Sequence, residues 1–174
     1  MRAGQLRGEI PLSGNAVRWV TVPADFIRSI GDALERDFGE TTASALLYEI
    51  GRASGKGYVD SAKKIGLEMK TVEDVKNLFR VLAEEFGWST DHEFDVDFPG
   101  KFARIRWKNG VEARPGRRKA LRCHIGRGIL AVGAETLFGV PCDCIEVQCQ
   151  AQGAPYCEVV VGEKEKIMAF AETL

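Results

Sequence analysis

The chain of 174 residues has two histidines, no apolar run long enough to cross a bilayer, no cysteine before position 123 and almost no net charge, with 24 Lys and Arg against 25 Asp and Glu. Each shortage excludes something. No His-Glu-x-x-His zincin motif, Gly-x-Ser-x-Gly elbow or phosphate loop is present, which removes the common signatures of hydrolysis and nucleotide binding. A formal charge of −1 gives no long-range pull on a polyanion, so neither nucleic acid nor a membrane surface is an expected partner. Without a signal peptide or a spanning segment the expected location is cytoplasmic and reducing, where paired thiols hold metals more often than they form disulfides. What is abundant is apolar side chain, at 45% of residues. That is enough for one sizeable core, and residues 1–174 are read as a single domain.

All five cysteines fall between Cys123 and Cys157. Gly153-Ala154-Pro155 reads as a turn, with extended, β-branched sequence on either side, and Cys149 and Cys157 are equidistant from Gly153. Their sulfurs should therefore face each other across a hairpin. A tetrahedral Zn²⁺ needs two further donors. Glu146 and Cys123 are the first choice, with His124, Cys144 and Cys142 as substitutes. On one flat strand Cys142, Cys144 and Glu146 would share a face and Cys149 would take the other, so a bulge or the start of the turn must re-aim one of them.

The spacing Cys123, Glu146, Cys149, Cys157, with Cys-His-x-Gly-x-Gly at 123–128 and Glu-x-x-Cys-x-x-x-Gly at 146–153, resembles the zinc signature of the 4-vinyl reductase domain family. Leu47-Tyr48-Glu49-Ile50-Gly51, within 39–57, is similar to that family's long central helix. The resemblance implies an α+β fold, a helical layer packed on an antiparallel sheet, like the TRAPP vesicle-tethering subunits and the NO-signalling and Golgi-transport ligand-binding domains. It also implies zinc on Cys123, Glu146, Cys149 and Cys157, an apolar pocket for a small hydrophobic or aromatic molecule, and a homodimer. The expected function is a stand-alone binding or sensor domain with a structural zinc. An accessory protein or reductase acting on a tetrapyrrole vinyl group, and a TRAPP-like scaffold subunit, are the alternatives. Phenol-responsive relatives carry a tryptophan in an Asn-Ser-Trp-Glu-Ala-like stretch; the nearest segment here, Asn109-Gly110-Val111-Glu112-Ala113, has none.

The rest of the chain supplies the layers. Residues 1–22 read as an extended arm, and Asp25 as the cap of a helix through about Phe38. A long helix is expected over 40–66, and its Gly51, Ser54, Gly55 and Gly57 suit either close helix packing or a ligand-facing groove. A third helix is expected from Val72 to about Phe86, opened by a Thr71/Asp74 capping box. A fourth is expected over 118–138, and a short amphipathic one over 163–174. Residues 88–108 read as a hairpin about Pro99-Gly100 in which paired residue numbers sum to 199. That register sets Asp95, Glu93 and Asp91 opposite Arg104, Arg106 and Lys108 on one face. His92, Phe94, Ile105 and Trp107 go to the other, where, with Cys144, they are the expected ligand-binding residues. Arg117, Arg118, Lys119 and Arg122 crowd the start of the fourth helix, and an acidic partner group there is the alternative to solvated charge.

Overall fold

The computed structural model describes residues 9–12, 15–18, 22–64, 70–80, 83, 87–113 and 122–174, with no account of the side chains of 9–12, 15–18, Leu78 and Arg80. Strands β1 (Glu9–Leu12) and β2 (Asn15–Arg18) pair with each other. They are followed by helices α1 (Ala24–Phe38), α2 (Glu40–Lys64) and α3 (Val72–Arg80). Strands β3 (Thr90–Asp97) and β4 (Phe102–Lys108) come next, then α4 (His124–Phe138), β5 (Cys142–Gln148), β6 (Cys157–Glu163) and α5 (Lys164–Ala171). The main sheet is antiparallel throughout, in the order β3-β4-β6-β5, with the helical layer packed on it.

Local signals account for most of the boundaries. Helix α1 starts one residue before the expected cap: Pro23 takes that position and Asp25 sits in the first turn, hydrogen-bonded by Arg28 at 3.1 Å. The capping box of α3 forms as expected, with the Thr71 N–H donating to Asp74 at 2.9 Å and the Asp74 N–H donating to the Thr71 hydroxyl at 3.1 Å. Helix α4 is shorter than the sequence suggested. Cys123 is its cap, with φ −81° and ψ 51°, so Arg122 and Cys123 lie before the helix rather than in it. The expected positions Phe86, Arg117, Arg118 and Lys119 lie outside the described residues.

Glycines settle how α2 meets α4. A methyl group built at Gly51 would lie 2.9 Å from the Ile125 carbonyl carbon and closer still to its oxygen, and one at Gly128 would lie 2.6 Å from the Arg52 backbone nitrogen. The two backbones therefore touch, which any side chain at these positions would prevent. Further along α2, Gly55 lines a cavity instead, and Gly57 faces open space. Close packing and a groove are thus both present, at different glycines. The crossing is pinned at its rim by Arg52 on Glu135 at 2.9 Å and by the Tyr48 hydroxyl donating to Asp143 at 2.5 Å.

The β3–β4 hairpin keeps the sum-199 register from Asp97/Phe102 to Glu93/Arg106 and then slips, so that Thr90 pairs with Lys108. Asp91, at φ 53°, is the extra residue that causes the slip. The expected opposition of Asp91 with Lys108 and of His92 with Trp107 is thereby displaced by one position, although the Asp91–Lys108 ion pair survives at 3.6 Å. Arg104 bonds not to Asp95 but across to Glu158 on β6, which Arg106 also reaches at 2.7 Å. The two guanidinium groups hold the Glu158 carboxyl below its ordinary range against the opposing effect of burial.

Candidate metal centre and apolar cavity

Strand β5 carries Glu146 toward the core, and its pairing with β6 slips by one residue between Glu146 and Gln148. Val147 is the additional residue. This is the re-aiming that the cysteine spacing demanded: after it, Cys149 leaves the strand with φ −141° and ψ 139°, opening a short 3-10 turn over Gln150–Gln152 that Gly153 closes at φ 93°. Cys149 and Cys157 then face each other with sulfurs 3.7 Å apart, and Cys123 approaches from the start of α4 with its sulfur 3.9 Å from that of Cys149.

None of these thiols is disulfide-bonded. The donor atoms of Cys123, Glu146, Cys149 and Cys157 all lie within 4.8 Å of one another, and all four residues are buried. Four ligands around a tetrahedral ion at a Zn–S distance of about 2.3 Å place sulfurs about 3.8 Å apart, which the observed separations match. The carboxylate supplies a second sign. Glu146 Oε2 accepts the N–H groups of Arg122 and Cys123, each at 3.0 Å, whereas its Oε1 is buried without a hydrogen-bond partner. A buried carboxylate oxygen without a partner is costly unless a cation completes it.

Electrostatics points the same way. Burial first, and then the charge on Cys149, pushes the Glu146 carboxyl up to about 8. Hydrogen bonds from Cys123 and Cys149 hold Cys157 below the usual thiol range, while Cys123 is pushed well above it by its hydrogen bonds to the other two sulfurs and by burial. Left to themselves, the four groups share little negative charge. A divalent cation would favour ionising them all. This buried set can hold a metal ion.

The substitute donors go elsewhere. The imidazole of His124 is held by Ser44 at 3.1 Å and by Arg127 at 2.9 Å, and burial, with the charges of Arg127 and Arg122, lowers it to about 4. Cys142 places its sulfur 3.3 Å from the Val140 carbonyl, and Cys144 lies in the hydrophobic core.

Two apolar cavities of about 80 Å³ each lie between the helices and the sheet and share Tyr58, Phe79, Ile129 and Leu130 in their walls. Trp107 lines the one beside the cysteine cluster, and Phe94 and Ile105 line the other. His92 lines neither; its Nε2 is 2.8 Å from the hydroxyl of Ser89, itself a wall residue, and its ring meets Phe79 edge-on at 5.1 Å. Cys144 lines neither cavity as well. Sequence reasoning missed Glu112, which lines the first cavity, accepts the N–H groups of Ile125 and Gly126 at 2.8 Å each, and is pushed up to about 8 chiefly by burial. The only sequence signal for it was its place in the Asn109–Ala113 segment.

Comparison with known proteins bears out the resemblance read from the sequence. Residues 104–163 match the vinyl-4-reductase domain family and include all four clustered donors. The fold is similar to the phenol-responsive sensory domain of the transcription activator PoxR, solved with phenol, at a TM-score of 0.69 and 16% identity over 92% of this chain and 87% of that one. It is also similar to trafficking protein particle complex subunit 3 from Naegleria fowleri, solved covalently bound to palmitic acid, at a TM-score of 0.64 and 16% identity over 81% of this chain and 92% of that one. At these identities the likeness shows the fold: helices on a four-stranded antiparallel sheet. No curated protein matches the chain. Among the described residues, no helix is long and apolar enough to cross a membrane.

Proposed function

We propose that this chain is a binding or sensor domain for a small hydrophobic or aromatic molecule, with a structural zinc on Cys123, Glu146, Cys149 and Cys157. The observation that carries the reading is the apolar cavity itself, enclosed between helices and sheet and lined in part by Cys123, Trp107 and Glu112. Such a wall offers much apolar contact and few polar groups, which suits a compact apolar ligand. The sensory domain of PoxR, with the same fold, was solved with phenol. Here Val111 stands in the cavity wall, in the segment that carries a tryptophan in phenol-responsive relatives, so the ligand need not be a phenol. Phe94, Ile105 and Trp107 would contact it directly; His92 would act through Ser89, and Cys144 would act from behind the wall.

Three thiolates and one carboxylate would fill the four positions of a tetrahedral zinc, leaving none for water or substrate. The ion would supply a cross-link between the start of α4 and the β5–β6 turn. Cavities of about 80 Å³ favour a compact molecule over a tetrapyrrole macrocycle. The remaining element of the reading is a homodimer. Helix α1 is strongly amphipathic yet has no buried residue, and Phe26, Phe38, Leu46 and Ile50 are 53%, 60%, 41% and 45% exposed. The same apolar surface is what favours a TRAPP-like interaction subunit as the second reading.

Elemental analysis and native mass spectrometry of freshly purified protein test the proposal. Zinc stoichiometric with the chain, a co-purifying small apolar molecule and a dimer mass are expected. Protein that carries no divalent metal, or that binds no apolar molecule at all, would refute it.

A further inference from the structure

Cys123 belongs to two places. Its sulfur is one of the four clustered donors, and the residue also forms part of the wall of the cavity beside Trp107. Between the two lies the opening turn of α4, and Cys123 supplies no side-chain cap for it. Two carboxylates from opposite sides take over that role. Glu146, from β5, accepts the N–H groups of Arg122 and Cys123 at 3.0 Å each; Glu112, from the segment after β4, accepts those of Ile125 and Gly126 at 2.8 Å each. Glu146 is also a clustered donor, whereas Glu112 faces the cavity. A methyl group at Gly126 would lie 3.4 Å from Glu112 Oε2, so the carboxylate rides close on the helix backbone. The turn cannot shift toward the cavity without disturbing bonds on the metal side, and the converse holds.

We infer that Glu112 is a positioning residue for Cys123, through which an occupant of the apolar cavity and the ion in the three-cysteine, one-carboxylate centre each stabilise the other's binding. This rests on the reading above, that the cavity takes a small apolar molecule and the cluster takes a metal. An occupant packed against Glu112 and Gly126 restricts the turn that presents Cys123, and the ion fixes the same turn from the other side. Binding free energies linked in this way are reciprocal: whatever factor the occupant adds to metal affinity, the metal adds to occupant affinity. Paired hydrogen bonds from backbone N–H groups to one carboxyl group at a helix start are stiff enough to transmit it.

The full chain loaded with Co²⁺ tests this, since thiolate-to-cobalt charge-transfer bands report the ligand geometry directly. The neutral fluorescent probe 1-aminoanthracene serves as cavity occupant. In the wild type the probe is expected to shift the cobalt bands and to slow cobalt loss to EDTA by about fivefold or more. Glu112→Gln is expected to bind both cobalt and probe yet lose that retardation, and Glu112→Asp, whose carboxylate is withdrawn by one methylene, to lose most of it and so stand in should the glutamine variant misfold. Ile129→Trp, which fills the wall shared by the two cavities, should bind cobalt with no response to probe. Probe binding that leaves both bands and release rate unchanged overturns the coupling while the ligand-binding reading stands. A wild type that does not bind the probe, but does bind cobalt, removes the cavity reading and this inference with it.

Discussion

Replacing Gly51 by alanine and, separately, Gly57 by alanine should move stability in opposite directions, although the two positions lie six residues apart in the same helix. At Gly51 the new methyl would come 2.9 Å from the Ile125 carbonyl carbon, against backbone that cannot swing aside. Restoring ordinary carbon contact demands a displacement of roughly 1 Å between α2 and α4. Overpacking of this kind costs about 1–3 kcal/mol, to be set against about 1 kcal/mol gained in helix propensity. At Gly57 nothing lies within 4 Å of the built methyl, so only the propensity gain remains. With about 2–4 °C per kcal/mol for a chain of this size, Gly57→Ala should melt a few degrees above the wild type and Gly51→Ala at or below it. Differential scanning calorimetry on metal-replete protein measures both. Equal shifts for the two variants would refute the direct backbone contact. Gly128→Ala provides a check, because its methyl would lie 2.8 Å from the Gly51 carbonyl carbon. Combined with Gly51→Ala it should cost less than the sum of the two, since one separation of the helices relieves both clashes.

Cys149→Ser and Cys157→Ser should each lower bound zinc and melting temperature, while Cys142→Ser, whose sulfur serves none of the four clustered positions, should leave zinc content unchanged; elemental analysis decides. Glu158→Ala should destabilise more than Arg104→Ala, by about 1–3 kcal/mol in urea unfolding, because the carboxylate side chain is 5% exposed and its loss strands two guanidinium groups, whereas Arg104 is 33% exposed and leaves Arg106 in place. Glu112 is pushed up to about 8 when folded, so the folded chain holds a proton that the unfolded chain has released; its stability contribution is lost as pH rises from about 5 toward 8. Melting curves should therefore show the wild type losing ground against Glu112→Gln over that window, and a constant gap would count against a buried, proton-holding carboxyl. His92→Ala should weaken binding of an apolar probe through Ser89 without releasing zinc, and equal loss of both would mean that His92 supports the metal centre.

The facing of Cys149 and Cys157 was legible because a turn glycine fixes symmetry by counting, and the need for a bulge before Cys149 followed from the two-residue period of a strand. That the bulge falls at Val147 has no such mark. The Asp91 slip was hidden for a related reason: aspartate tolerates a positive φ, but nothing in the sequence says that it adopts one here. Charge complementarity paired Arg104 with Asp95 within one hairpin. The structure sends it to Glu158 because β6, distant in sequence, lies beside β4 and brings a carboxylate with less access to water. Glu112 was invisible as a cap because it lies thirteen residues from the helix start it serves, whereas caps readable in a sequence are local, as Thr71 and Asp74 are. The apolar side of the hairpin was read correctly, since alternation alone decides which residues point inward.

The burial of β6 bears on how the molecule can be assembled. It is the strand that joins β4 to β5, and Cys157 to Gly162 are buried without a break. During synthesis, the β3–β4 hairpin and the helices before it emerge with their apolar sides uncovered and no neighbour for β4 until nearly the end. Chains stopped ahead of this strand should stay soft and protease-sensitive however much of their sequence they retain. Closure of the sheet, capture of Glu158 by two arginines and arrival of the last cysteine then fall within one short stretch of translation.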